Sequence, residues 1–257
     1  MFKHLDRKFL AVCVAALMAA SCAHAYGPTE NYETRQIEGW TIRVNKKLLN
    51  ENAPLAKDVL QLLDQQLYQI TRVVPGPALA RLRDVAIWVE LSDPLFPCMC
   101  YHPSGDWLRE HDLNPEKAGG VELANGINFL TWTKEQPWMV LHELAHSYHH
   151  RVLGYDHPEI KAAYLRAVES KSYESVRHIN GKLVRHYALN NDQEYFAESC
   201  EAYFGTNDFY PFVRAELQQH DPTIFALLER VWGTKPSPTP AKIELQSTQP
   251  VSTNAVR

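Results

Sequence analysis

The chain has 257 residues, 45% of them hydrophobic, and a formal net charge of −4 at pH 7. That length suits one sizeable core or two closely packed lobes, and the acidic balance excludes the basic stripe of a nucleic-acid binder. Beyond an N-terminal apolar run no stretch approaches bilayer length, so no transmembrane span is expected.

Residues 1–25 carry Lys3, Arg7 and Lys8, then an apolar run over 9–20, then Ala23-His24-Ala25, the small-x-small form of a signal-peptidase site. The pattern predicts a signal peptide, a periplasmic or secreted location, and Tyr26 as the first mature residue. Ala19-Ala20-Ser21-Cys22 offers a second route, a lipoprotein box that would anchor the chain at Cys22. Removing 1–25 takes three of the 26 Lys and Arg and one of the 30 Asp and Glu, leaving 23 against 29. Cys98, Cys100 and Cys200 remain. They allow at most one internal disulfide, expected between Cys200 and one of the other two because a Cys-x-Cys bridge is strained; the other outcome is three reduced, buried thiols. No Cys or His pair at finger spacing follows Cys98 and Cys100, so a zinc-finger site is not expected there.

Residues 26–34 are polar and read as loose chain. Ile37, Trp40, Ile42 and Val44 predict a strand within 36–49, and Asn52 with Pro54 opens an amphipathic helix through Leu55, Val59, Leu62, Leu63, Leu67 and Ile70. Pro75-Gly76-Pro77 breaks the chain before a buried strand over 85–91. Residues 92–120 are irregular and rich in proline, either a cleft-shaping connection or a pinned surface loop. Residues 121–130, with Asn125-Gly126 among them, read as a strand or short hairpin just before the His142-Glu143-Leu144-Ala145-His146 stretch; by resemblance to HExxH hydrolases it is expected to be an edge strand, whose unpaired backbone groups could capture an extended peptide.

The chemistry centres on His142-Glu143-Leu144-Ala145-His146. Two histidines four apart on a helix lie about 40° apart in rotation and one turn apart in rise, so both imidazoles reach one ion. Glu143, between them, is placed to take a proton from a water and not to bind the metal. Thr133 with Gln136 resembles a capping box and Pro137 suits a first turn, which predicts the helix over 133–152, ended by Gly154. His149, His150 and His157 read as surface or helix-end residues. Further on, 160–168 is helical, and Asn180-Gly181 between two strand-like runs, 173–179 and 182–189, predicts a hairpin.

The metzincin pattern would need a histidine at 152, where the chain has Val152. A later carboxylate must complete the site. Glu194 and Glu198 stand four apart on one helix face; two like charges on a buried face call for a cation. Glu194 is the expected third ligand and Glu198 the acceptor for a histidine N–H. Gly205-Thr206-Asn207-Asp208-Phe209-Tyr210 partly resembles the GTxDxxYG of aspzincins, which would instead make Asp208 the ligand.

Together, His142-Glu143-Leu144-Ala145-His146 and Glu194-Tyr195-Phe196-Ala197-Glu198, with Tyr187 seven residues before Glu194, resemble the catalytic domain of anthrax toxin lethal-factor-like peptidases, within the gluzincins. The likeness covers residues 121–231. Gln136-Pro137-Trp138 and Asn207-Asp208-Phe209-Tyr210-Pro211-Phe212 also resemble exported bacterial relatives of that family. The resemblance implies an α+β, zincin-like metallopeptidase with a small mixed sheet, an HExxH helix and a mainly helical C-terminal lobe. It implies one Zn²⁺ per chain held by His142, His146 and Glu194, with Glu143 as general base, Tyr187 steadying the oxyanion, and a peptide or protein as substrate. The other class of function is a non-catalytic exported zinc-binding or scaffold protein. Residues 209–219 and 222–232 read as two short helices. The domain is expected over 26–233, followed by a disordered Pro/Ser/Thr-rich tail over 234–257.

Overall fold

Glu38 and Gly39 take positive φ of 50° and 89°, a two-residue turn that folds Tyr32–Ile37 (β1) back on Trp40–Asn45 (β2). The computed structural model describes residues 27–234, so the signal segment with Cys22, the Tyr26 terminus and residues 235–257 lie outside the described residues. The expected strand at 36–49 is therefore the second arm of a hairpin whose first arm reaches into the segment read as loose. In β2 the alternation is strict: Trp40, Ile42 and Val44 are fully buried.

Lys46–Glu51 (α1) leads into the long helix Ala53–Val73 (α2). The Asn52 side chain caps α2 by accepting from the Leu55 N–H at 3.2 Å. Val59, Leu63, Leu67 and Ile70, at helical spacing, are its buried stripe. Pro75 ends that run, and Gly76–Arg83 (α3) follows before the buried strand Ile87–Val89 (β3). The irregular stretch holds Met99–Tyr101 (β4) and Gly105–Glu110 (α4), then Val121–Leu123 (β5).

The five strands form a mixed sheet in the order β1-β2-β3-β5-β4, with β2, β3 and β5 parallel and the two outer strands antiparallel to their neighbours. The edge on the side of the site is thus β4, and β5, the expected edge, is paired on both sides. Asn125-Gly126 is not a hairpin turn. Asn125 accepts from the Asn128 N–H at 2.9 Å and caps Gly126–Trp132 (α5), and Thr133 closes that helix by donating from its hydroxyl to the Phe129 carbonyl. The HExxH helix is shorter than expected, Met139–Tyr148 (α6), and runs on into a π-helical turn, His149–Leu153.

Beyond it lie Pro158–Ser170 (α7), the hairpin Val176–Arg177 (β6) with Leu183–Val184 (β7), a 3₁₀ turn Tyr187–Asn190, and the helices Asp192–Phe204 (α8), Arg214–His220 (α9) and Pro222–Val231 (α10). The architecture is a mixed α+β fold with a small sheet and a largely helical C-terminal region. Among the described residues no helix is long and apolar enough to cross a membrane. Thr234, placed by the sequence in the tail, is held by the Tyr203 hydroxyl at 2.5 Å.

A buried polar network pins the sheet. Lys117 pairs with Glu90 at 2.8 Å and with Glu122; Glu122 also meets His102 Nε2 at 2.6 Å, and the Tyr32 hydroxyl donates to Glu90. Gly205 makes room for the Trp138 indole, whose nearest atom would lie 1.8 Å from a Cβ built there. Only a residue without a side chain lets the end of α8 approach the start of α6 so closely. Gly205→Ala should destabilise the protein by about 1–3 kcal/mol through overpacking, read as a lower urea midpoint with an unchanged slope. A midpoint equal to that of the native protein would show that this contact is not tight.

Candidate metal centre

Helix α6 carries the first donors because its apolar residues dictate its orientation. Val140, Leu141, Leu144 and Ala145 are fully buried, which turns His142 and His146, both 9% exposed, and half-buried Glu143 towards the opening between α6 and α8. Asn191 starts α8 by accepting from the N–H groups of Gln193 and Glu194, at 2.9 and 2.8 Å. Its buried Tyr195, Phe196 and Ala197 then leave Glu194, Glu198 and Glu201 on the side facing α6.

His142 Nε2, His146 Nε2 and Glu194 Oε2 converge in a nearly equilateral triangle, with edges of 3.0 Å (His142 to Glu194), 3.1 Å (His142 to His146) and 3.2 Å (His146 to Glu194). Tetrahedral bonds of about 2.0–2.1 Å give ligand edges of about 3.3 Å, so the residues present fit a zinc-sized ion. The donor chemistry points the same way. His142 Nδ1 lies 2.7 Å from Glu201 Oε1; with Glu201 ionised, a neutral His142 donates from Nδ1 and offers its Nε2 lone pair to an ion. In that tautomer His142 Nε2, with His146 Nε2 and a Glu194 oxygen, is one of three atoms that could share a cation.

Electrostatics around the cluster follow from burial. Burial pulls the His142 pKa down, but hydrogen bonds to Glu194 and Glu201 outweigh it and leave it well above the usual imidazole range. For Glu194, burial is overcome by the two histidines, which hold the carboxyl below the ordinary range. Glu198 and Glu201 are both pushed up, by burial first; the nearby Glu201 carboxylate adds to the rise at Glu198.

Among the described residues three groups of side chains could hold a metal ion: His142 with His146 and Glu194; His142 with Glu198 and Glu201; and Cys100 with His102 and Glu122. The third was not expected from the sequence, yet Cys100 and His102 share one strand face and Cys100 sits opposite Glu122 in register. The Lys117 ammonium already neutralises Glu122 there, and burial raises the Cys100 thiol far above its usual pKa, so this group is read as a closed hydrogen-bonded network.

The expected residues are distributed as follows. His142, His146 and Glu194 come together, and Glu143 and Tyr187 line the same two cavities beside them. Tyr187 is 46% exposed, so it is not a core tyrosine. The histidine N–H expected to go to Glu198 goes to Glu201, while Glu198 Oε1 stands 3.6 Å from His142 Nδ1 and its Oε2 accepts from Asn207 at 2.9 Å. Glu201 follows Glu194 by seven residues and Glu198 by three, so helical spacing alone would have placed it on this face. Asp208 is outside the ligand cluster, 3.3 Å from His178 and 3.4 Å from Gln136, which removes the aspzincin-like assignment.

Cys98, Cys100 and Cys200 are all free, against the expected disulfide; Cys200 is fully buried in α8 and Cys98 lies 3.4 Å from the Met139 sulfur. His149, expected at the surface or a helix end, does stand at the end of α6 but is wholly buried between Tyr155 and Phe196, and burial pushes its pKa down to about 3. Comparison of the chain with protein-family models, curated proteins and solved structures finds no match in any of the three.

If these three donors share one ion, purified protein should carry about one metal ion per chain, and His146→Ala should lose it while His102→Ala keeps it. Elemental analysis of the two variants decides this. Metal retained by His146→Ala and lost from His102→Ala would move the site to Cys100, His102 and Glu122.

Proposed function

We propose that the chain is an exported zinc-dependent metallopeptidase with a zincin-like catalytic arrangement, of gluzincin type, acting on peptide bonds inside peptides or proteins. The observation that carries this reading is the convergence of His142, His146 and Glu194 with Glu143 beside them on the wall of the same cavities. Three donors leave a position open for a reacting group, whereas a structural zinc site is closed by four. The signal-like stretch at 1–25 supports export.

Zinc held by His142, His146 and Glu194 would supply Lewis acidity to a water and to an acyl oxygen. The chain's own residues do the rest. Glu143 takes the proton of the attacking water and returns it to the departing amine. The Tyr187 hydroxyl, on the same cavity wall, donates to the oxygen on which negative charge develops. Glu201, by accepting from Nδ1, keeps His142 in the tautomer that presents Nε2. Edge strand β4 borders the cavity with Met99, Cys100 and Tyr101, and its outer side has no strand partner among the described residues. An extended substrate can add there as a further strand, which favours a peptide over a small ester or amide.

The second reading is a non-catalytic exported zinc-binding or scaffold protein. It is favoured by the density of donors around His142, which asks for a metal and for no chemistry.

Two carboxylates separate the readings. Glu194→Gln removes an anionic ligand, so zinc affinity should fall, with activity partly restored by excess metal. Glu143→Gln leaves the three donors in place, so zinc should stay while cleavage of a diverse peptide library drops by about 10²–10⁴-fold. Zinc-loaded native protein that cleaves no library peptide would favour the scaffold reading. A Glu143→Gln protein as active as the native one would refute the role given to Glu143.

A further inference from the structure

Beside the ligand cluster, on the side of α8, opens a cavity of about 340 Å³ whose lining changes from apolar to acidic. Trp132, Met139 and Phe209 form walls, and Glu198, Glu201 and Asp208, with Glu143, bring four carboxyl groups to the same cavity. No Lys or Arg lines it. The charged and polar groups facing these acids are few. His178 stands 3.3 Å from Asp208, Gln136 reaches it at 3.4 Å, Asn207 donates to Glu198, His186 Nδ1 lies 3.8 Å from Glu198, and His142 donates one proton to Glu201.

One acceptor is left over. Glu201 is only 3% exposed, and its Oε2 has no hydrogen-bond partner. A buried carboxylate oxygen without a donor is costly, and four carboxyl groups around one cavity oppose one another's ionisation. A guest that brings both positive charge and N–H groups removes both penalties. A bare metal ion fits less well, because His142 Nδ1 already holds the proton given to Glu201 and offers no lone pair on this side. The walls supply the other half of the requirement, since an aliphatic stem can lie along Trp132, Met139 and Phe209 while its charged head reaches the acids.

We propose that this cavity receives the side chain of a substrate lysine or arginine, so that the enzyme cleaves beside a basic residue. The proposal rests on the peptidase reading for its consequence, but the selectivity of the cavity can be measured without turnover. The probes are Nα-acetyl-lysine amide and Nα-acetyl-norleucine amide, which share a four-carbon stem and differ in the ammonium group. Binding to the zinc-loaded native protein is followed by NMR titration.

The lysine amide should bind at least about tenfold more tightly, and the ratio should collapse towards one in Asp208→Asn and in Glu201→Gln. In the peptide library the cleaved bonds should then have Lys or Arg on one fixed side. Equal affinity for the two amides in the native protein overturns the proposal without recourse to any variant, as does a lysine preference that survives in both. Absence of cleavage in every library peptide tells against the peptidase reading alone, because the amide comparison still decides what the cavity selects.

Discussion

The hydrogen bond from His142 Nδ1 to Glu201 Oε1 joins the two helices on which everything at the site depends. It fixes one donor of α6 against a carboxylate of α8 and, through the tautomer it selects, decides that Nε2 faces Glu194. Breaking it would free the ring to rotate and leave a second oxygen of Glu201 unpartnered in a site with little access to water. The packing around it is correspondingly tight. Trp138 fills the space that Gly205 leaves open, and the Asn207 side-chain amide donates to both the backbone carbonyl and the carboxylate of Glu198.

Such a helix pair concentrates negative charge in a low-dielectric place. Glu194, Glu198 and Glu201 share one face of α8, and Asp208 lies close beyond them. His142 meets that charge through its hydrogen bonds to Glu194 and Glu201, which raise its pKa against the effect of burial. A metal ion answers the same need at Nε2, and binding that is linked to the folded state adds directly to stability. The sheet uses a different solution for the same problem: Lys117 neutralises Glu90 and Glu122 from within the chain. That contrast is the physical reason for placing the metal at α6 and α8 and not at Cys100.

Much of this was legible in the sequence where one period dominates. The stripe of α2, the alternation of β2 and the i, i+4 pairs at 142/146 and 194/198 all follow from helical or strand spacing. Errors arose where one signal serves two structures. Asn125-Gly126 is a hairpin signal, yet an asparagine before glycine is equally an N-cap, and the tertiary context selects the cap. Thr133 and Gln136 have capping-box spacing, but Thr133 ends one helix and the Gln136 side chain points to Asp208. The tightness of β4, only three residues within a proline-rich connection, left too short a pattern to read, although it forms the site's edge. Glu201 was hidden because the motif ends at Glu198, while the helix face does not.

The central claim is that the ion binds to two imidazoles and a carboxylate supplied by α6 and α8. Zinc K-edge X-ray absorption of the purified protein tests it most directly, because nitrogen and oxygen ligands scatter at about 2.0–2.1 Å and a thiolate at about 2.3 Å. The account predicts a first shell of nitrogen and oxygen only, with the outer-ring signature of two histidines. A sulfur shell at about 2.3 Å would contradict it and would place the metal at Cys100, His102 and Glu122 instead.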